Sequence, residues 1–302
     1  MIRLRRLTLA LLNVWLVGQP IPNANARYRL RLWREERARL DAIRAELKAY
    51  ITESFNDARK RLRQGFEDTL SPFNDPLIDP AANYPRALHK VTLQGYLGET
   101  LAVLAVEHWG AHGHSDWKVP AFLFRFHDQE FQHLESINER LRRGERHEPD
   151  ETAQLRPGRT GDDGLAFRMN AAGVITDVLT LEAKCLSASN VNTIADAHRK
   201  LAAAGPLPSG IRELINILDD YDTPQAQAWQ EALIKLRADS RNRGNRLDGV
   251  AYACGRIPAR PRMSWLSAAQ PDPAYNIQRH LEAMEFQFAD LQGIIDILYR
   301  GP

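Results

Sequence analysis

The sequence predicts an α/β protein with helical additions at its N- and C-terminal ends, and three observations predict it. Residues 165–169 and 174–181 are apolar and rich in β-branched side chains, and Asn170-Ala171-Ala172-Gly173 joins them, which is the pattern of a β-hairpin. Residues 91–109 have helical spacing but are almost wholly apolar after the first turn, as expected of a helix buried against a sheet. Residues 26–65 and 273–299 carry apolar side chains at helical spacing among charged neighbours.

Size and composition set the frame. A chain of 302 residues, 44% of them hydrophobic, fills one large domain or two small ones. With 40 Lys and Arg against 38 Asp and Glu, the whole-chain charge selects neither for nor against a polyanionic partner, so local clusters must decide. Cys185 and Cys254 are the only cysteines and no CxxC spacing occurs, so neither a disulfide scaffold nor a zinc ribbon is supported. A reducing, cytoplasmic setting is the simpler expectation.

The N-terminus has the outline of a secretory signal: Met1 to Arg6 is basic, Leu7 to Val17 is largely apolar, and Ala24-Asn25-Ala26 has the small residues of a cleavage site. Asn13 and Trp15 interrupt the apolar run, while Leu9, Leu11 and Val14 suit a segment packed on the domain. The packed segment is the preferred reading, with export as its competitor. No stretch approaches the roughly 20 apolar residues of a membrane span, so no membrane partner is expected.

The remaining elements follow in order. Leu30, Trp33, Leu40, Ile43, Leu47, Ile51 and Phe55 predict one long helical arm over residues 26–65. The proline-rich stretch 71–85 reads as a linker, which divides the chain into an N-terminal segment and arm, 1–85, and an α/β domain with C-terminal helices, 86–302. After the 91–109 helix, residues 119–126 predict a short strand, 127–143 a surface helix and 144–161 a polar loop. Beyond the hairpin, residues 192–204, 211–220 and 224–238 predict helices, 247–254 a strand, and 273–299 an amphipathic helix.

The chemistry concentrates at the hairpin. In a strand, residues two apart share a face, so Glu182 and Lys184 project together at the end of Val-Leu-Thr-Leu, and the hairpin can bring Asp163 beside them. A carboxylate and a lysine at the end of an apolar strand are costly to bury unless they are paired or bind a metal. Two carboxylates offer the oxygen ligands that Mg²⁺ or Mn²⁺ select, and a neighbouring lysine can stabilise charge on a phosphate. Glu46-Leu47-Lys48 repeats the Glu-x-Lys triplet on the arm, where it reads as charge on a solvated helical face, so position rather than the triplet carries the argument.

The segment Thr160-Gly161-Asp162-Asp163-Gly164 through Leu181-Glu182-Ala183-Lys184 resembles the core motif of the PD-(D/E)XK nuclease superfamily, and Gly98-Glu99 on the upstream apolar helix extends the resemblance over about residues 90–190. It implies a central mixed β-sheet flanked by helices, a restriction-endonuclease-like core, with Asp163 and Glu182 as metal ligands, Glu99 as an accessory carboxylate and Lys184 as the catalytic lysine. Asp162 stands where the family often has proline, which leaves either aspartate as the ligand; Asp163, next to Gly164, is preferred. The pattern is similar to restriction and phage-defence nucleases and, through the Gly-Glu helix, to the nuclease component of Hachiman-type defence systems. It implies a Mg²⁺- or Mn²⁺-dependent nuclease acting on DNA, with RNA left open, and a protein partner such as a helicase or ATPase that supplies triggering. The competing reading is a non-catalytic member of the same fold that binds nucleic acid or a partner protein.

Each residue has a plainer role to set against this. Glu182 and Lys184 can close a strand as an ion pair, Asp162 and Asp163 can serve a turn, and Glu99 can suit the start of its helix. His108, His112 and His114 lack the companions of a zinc set and read as a loop, and His198 on the following helix reads as a partly buried histidine. Among the basic clusters at 59–63, 142–146, 241–246 and 256–262, Arg241, Arg243 and Arg246 are the preferred phosphate contacts.

Overall fold

A computed structural model describes residues 7–23, 25–66, 79, 81–123, 134, 136–137, 139–141, 143–146, 148–149, 161–239 and 244–301. Its frame is a six-stranded mixed sheet in the order β1-β2-β6-β5-β4-β3 with helices on both faces. The strands are β1 (Leu16–Gln19), β2 (Tyr28–Glu35), β3 (Gly164–Met169), β4 (Ile175–Leu186), β5 (Asn245–Cys254) and β6 (Leu281–Gln287). The helices are α1 (Leu9–Trp15), α2 (Leu40–Ser54), α3 (Asn56–Phe66), α4 (Lys90–Trp109), α5 (Val191–Ala203), α6 (Ile211–Asp219), α7 (Pro224–Ala238) and α8 (Leu291–Ile295). The four inner strands β2, β6, β5 and β4 run parallel, and β1 and β3 close the edges antiparallel.

The expected hairpin forms. Gly173 adopts a positive φ of 75°, open to glycine at little cost, and the Asn170 side chain accepts from the Ala172 and Val174 N–H groups at 3.0 Å, closing the turn from β3 to β4. The caps of the next helices are also visible in sequence: Asn190 accepts from Asn192 and Thr193 at the start of α5, and Thr223 with Pro224 starts α7.

One face of the sheet is covered by α4, whose Leu93, Leu97, Leu101 and Val103 pack with Leu179, Leu181 and Cys185 of β4. Each such side chain contributes about 1.5–3 kcal/mol of burial. Gly98 permits this approach, because a Cβ added there would lie 3.0 Å from the Cys185 Cβ. The opposite face carries α5, through Ile194, Ala197 and Leu201 against Val250 and Tyr252, and α6 and α7 against Phe167 and Val178. Alternation along β4 therefore sends Leu181, Ala183 and Cys185 to α4, and Glu182 and Lys184 to α5.

Several expectations are corrected. The helical arm begins only at Leu40; residues 28–35 are strand β2, in which Tyr28, Leu30 and Leu32 are buried while Arg29 and Arg31 alternate with them. The expected helix over 273–299 is replaced at its centre by β6, every residue of which is buried. A strand lying between two parallel neighbours must fill both faces, so it loses the alternation that marks a strand in sequence, and here Leu281, Met284 and Phe288 mimic a helical stripe. The sheet thus crosses the expected division at residue 85, since β2 pairs with β6. Residues 119–123 are not a strand: Pro120 lacks an N–H, and only Lys118 bridges to Phe167; 124–126 lie outside the described residues, as does most of the expected loop at 144–161. Leu12, Trp15 and Leu16 are buried in the core, as a packed N-terminal segment requires. Among the described residues no helix is long and apolar enough to cross a membrane.

Candidate active site

Asp163 stands one residue before β3, where its backbone N–H donates to Leu181 O at 3.2 Å and continues the ladder to β4. Its side-chain Oδ2 accepts from the Ala183 N–H at 2.8 Å, the peptide between Glu182 and Lys184. This staple fixes the carboxylate against the strand that carries the other two groups. Lys184 Nζ donates to Glu182 Oε1 at 2.7 Å. The three residues singled out from the motif therefore converge.

A fourth group completes the cluster. Lys200, from α5, reaches Glu182 Oε2 at 2.5 Å and Asp163 Oδ1 at 3.4 Å. Two carboxylates thus face two ammonium groups. Glu182 is 2% exposed at its side chain, whereas Lys184 and Lys200 are 29% and 33% exposed, so the acid is buried and its cations open to solvent. Burial, followed by the neighbouring Asp163 charge, pushes the Glu182 carboxyl up to about 7 against the opposing pull of the two lysines. Burial disfavours the Lys200 ammonium, but Asp163 and Glu182 more than offset that and hold it above the ordinary lysine range.

Lys200 was not legible from the motif, although a signal existed. The connection from β4 to the parallel β5 begins with α5, which packs on β4, and Lys200 borders the buried stripe of Ile194, Ala197 and Leu201 on that helix. His198, the residue on α5 that sequence reasoning did weigh, is instead in the core: its Nδ1 lies 2.8 Å from Ile194 O and its ring meets Tyr275 edge-on.

The other candidates are distributed differently. Asp162 is tied to the start of α6, its Oδ2 accepting from Ser209 Oγ at 3.1 Å and Gly210 N at 2.7 Å, which leaves Asp163 as the aspartate of the cluster. Glu99 is buried on α4, on the face of β4 opposite Glu182 and Lys184, and its charge acts on Tyr299. Among the described residues no three His, Cys, Asp or Glu side chains group as a metal cage. Asp163 and Glu182 remain as a pair of oxygen donors, the number with which Mg²⁺ is commonly held when substrate phosphate and water complete its shell.

Arg241 and Arg243 lie outside the described residues. Arg246 is turned inward: its side chain is 9% exposed, 3.7 Å from Asp248 Oδ1, and also bonds Gly205 O. The buried Asp248 carboxylate draws the guanidinium away from solvent. The 59–63 cluster is similarly engaged, with Arg61 on Glu213 and Arg63 on Asp79. His112 is held rather than loose, its N–H donating to Glu282 Oε2 at 2.6 Å and its Nε2 lying 3.0 Å from Asp248 O.

The chain matches no known family model, and no curated protein matches it significantly.

Proposed function

We propose that this protein is a metal-dependent nuclease that hydrolyses phosphodiester bonds of DNA on a restriction-endonuclease-like core. The observation that carries the reading is the meeting of Asp163, Glu182 and Lys184 at the end of the β3–β4 hairpin. The hairpin, the crossover helix α5 and the parallel strand β5 support the core assignment.

The donor set fits Mg²⁺ or Mn²⁺, because both carboxylates are hard oxygen donors on one face. Such an ion would neutralise charge on the phosphate and favour deprotonation of the attacking water. Asp163 is oriented for this by the Ala183 N–H, and Glu182 by its rigid strand. Lys184 presents an ammonium beside them that can bind a phosphate oxygen and stabilise the negative charge developing in the transition state. Asp162 anchors the turn to α6. A restriction or phage-defence setting, with a helicase or ATPase partner, extends the motif resemblance and is tested by the neighbouring genes.

The direct test is incubation of the purified chain with plasmid, linear duplex and single strands, with and without Mg²⁺. Cleavage that requires the ion supports the reading; intact substrates in every arm overturn it. One observation favours a second reading. The two carboxylates are already matched by two lysines, as in a structural ion cluster of a non-catalytic binding protein. In that case Mn²⁺ would not bind at Asp163 and Glu182, and nucleic acid would be retained without being cut.

A further inference from the structure

The position of Lys200 bears on how the site is loaded. Its Nζ contacts one oxygen of each acid, Glu182 Oε2 and Asp163 Oδ1, so it occupies the space where a cation shared by both carboxylates must sit. Lys184 differs, since it bonds only the outer Glu182 Oε1. The two lysines also come from different elements. Lys184 is on β4 beside its partner, whereas Lys200 reaches in from α5 with its side chain one-third exposed.

We propose that Lys200 is a built-in counter-cation that competes with the divalent ion for Asp163 and Glu182, and swings out when the ion binds. The proposal rests on the nuclease reading of the same site. In the ion-free protein the Lys200 ammonium keeps two nearby carboxylates from repelling one another, at the cost of weakening metal affinity. Loading the site then exchanges one cation for another, without reorganisation of the strands. The displaced ammonium remains tethered beside the two carboxylates by α5, where it can meet an incoming phosphate.

Mn²⁺ binding, followed by calorimetry and by electron paramagnetic resonance, tests this on the full chain with no substrate present. Lys200→Met and Lys200→Gln should each bind Mn²⁺ about two- to fivefold more tightly than wild type, the scale of a partly exposed ion pair. Asp163→Asn should abolish binding. In the wild-type chain, reductive methylation read by mass spectrometry should label Lys200 several-fold faster when Mg²⁺ is added, which needs no variant to fold. Unchanged or weaker Mn²⁺ binding in both Lys200 variants, or Lys200 labelling that is unaffected by Mg²⁺, overturns the exchange while leaving the nuclease reading intact. Absence of Mn²⁺ binding in wild type and both Lys200 variants overturns the two together.

Discussion

At the end of the hairpin, Glu182 is buried against two lysines that are each about one-third exposed; on β5 and β6, Asp248, Glu282 and Glu285 are equally buried but held by rigid partners. Asp248 takes the Tyr275 hydroxyl at 2.6 Å and Arg279 Nε at 2.8 Å. Glu282 Oε1 forms an ion pair with Arg31 Nε at 2.5 Å, and its Oε2 accepts the His112 backbone N–H at 2.6 Å. Glu285 accepts the Trp265 and Leu266 N–H groups, at 2.9 and 2.8 Å, and Gln287 Nε2 at 2.6 Å. Backbone amides and planar guanidinium forks fix a carboxylate and stitch a loop or strand to it, whereas flexible ammonium groups open to solvent can be exchanged for another cation. Burial of an acid alone therefore does not distinguish the proposed site from its neighbours; burial with exchangeable partners does.

The largest expected effects separate these two kinds of acid. Glu282→Ala leaves Arg31 buried without its counter-charge and should cost about 3–5 kcal/mol of folding stability, measured by urea denaturation. A loss under about 1 kcal/mol would erase the contrast, because that is the range of a surface pair. Lys184→Ala should do the reverse, lowering cleavage by about 10²–10³-fold while changing stability by less than about 1 kcal/mol. Comparable losses of stability in both variants would make the hairpin cluster another structural clamp.

A smaller effect concerns the platform beneath the cluster. Gly98→Ala puts a methyl 3.0 Å from the Cys185 Cβ, so α4 or β4 must give way, with an expected cost of about 1–3 kcal/mol in thermal or denaturant unfolding. No change would mean that the α4–β4 contact is looser than this spacing requires.

Two further effects are in pH dependence, and their signs oppose. Glu182 has a folded value of about 7 against an ordinary 4.5, so the folded chain holds that proton more tightly; its contribution is present at acid pH and is lost as pH rises towards 7. Glu182→Gln should flatten that part of the stability profile. Burial lowers the His198 imidazole below its ordinary 6.5, so protonation favours the unfolded chain and stability is lost as pH falls below about 6.5. His198→Phe should flatten the acid limb instead. Profiles that do not respond to these variants would contradict the burial of the two groups.

The hairpin, α4, the three helices after β4, and β5 could be read from sequence because each shows a periodicity or a cap suited to one exposed face or to an apolar run. The convergence of Asp163, Glu182 and Lys184 was legible for the same reason, as strand alternation and a short turn determine it. β2 and β6 were hidden by the helical stripes overlapping them, although Tyr28-Arg29-Leu30-Arg31-Leu32 did carry a period of two. Lys200 depends on which helix crosses which strand, because its partners Asp163 and Glu182 lie 37 and 18 residues away in sequence, whereas Arg246 turns toward Asp248, two residues on along the same face of β5. The Lys200 contact is set by tertiary packing, which the hairpin motif does not contain, and the Arg246 contact was open to the same strand alternation that paired Glu182 with Lys184.

The central claim is that the hairpin cluster cuts phosphodiester bonds, and it is tested most directly by comparing wild type and Lys184→Ala on supercoiled plasmid with Mg²⁺, alongside thermal unfolding of both. Ion-dependent nicking or linearisation by wild type alone, at matched unfolding temperatures, is the predicted result. Intact plasmid with both proteins, or equal cleavage by both, would contradict it.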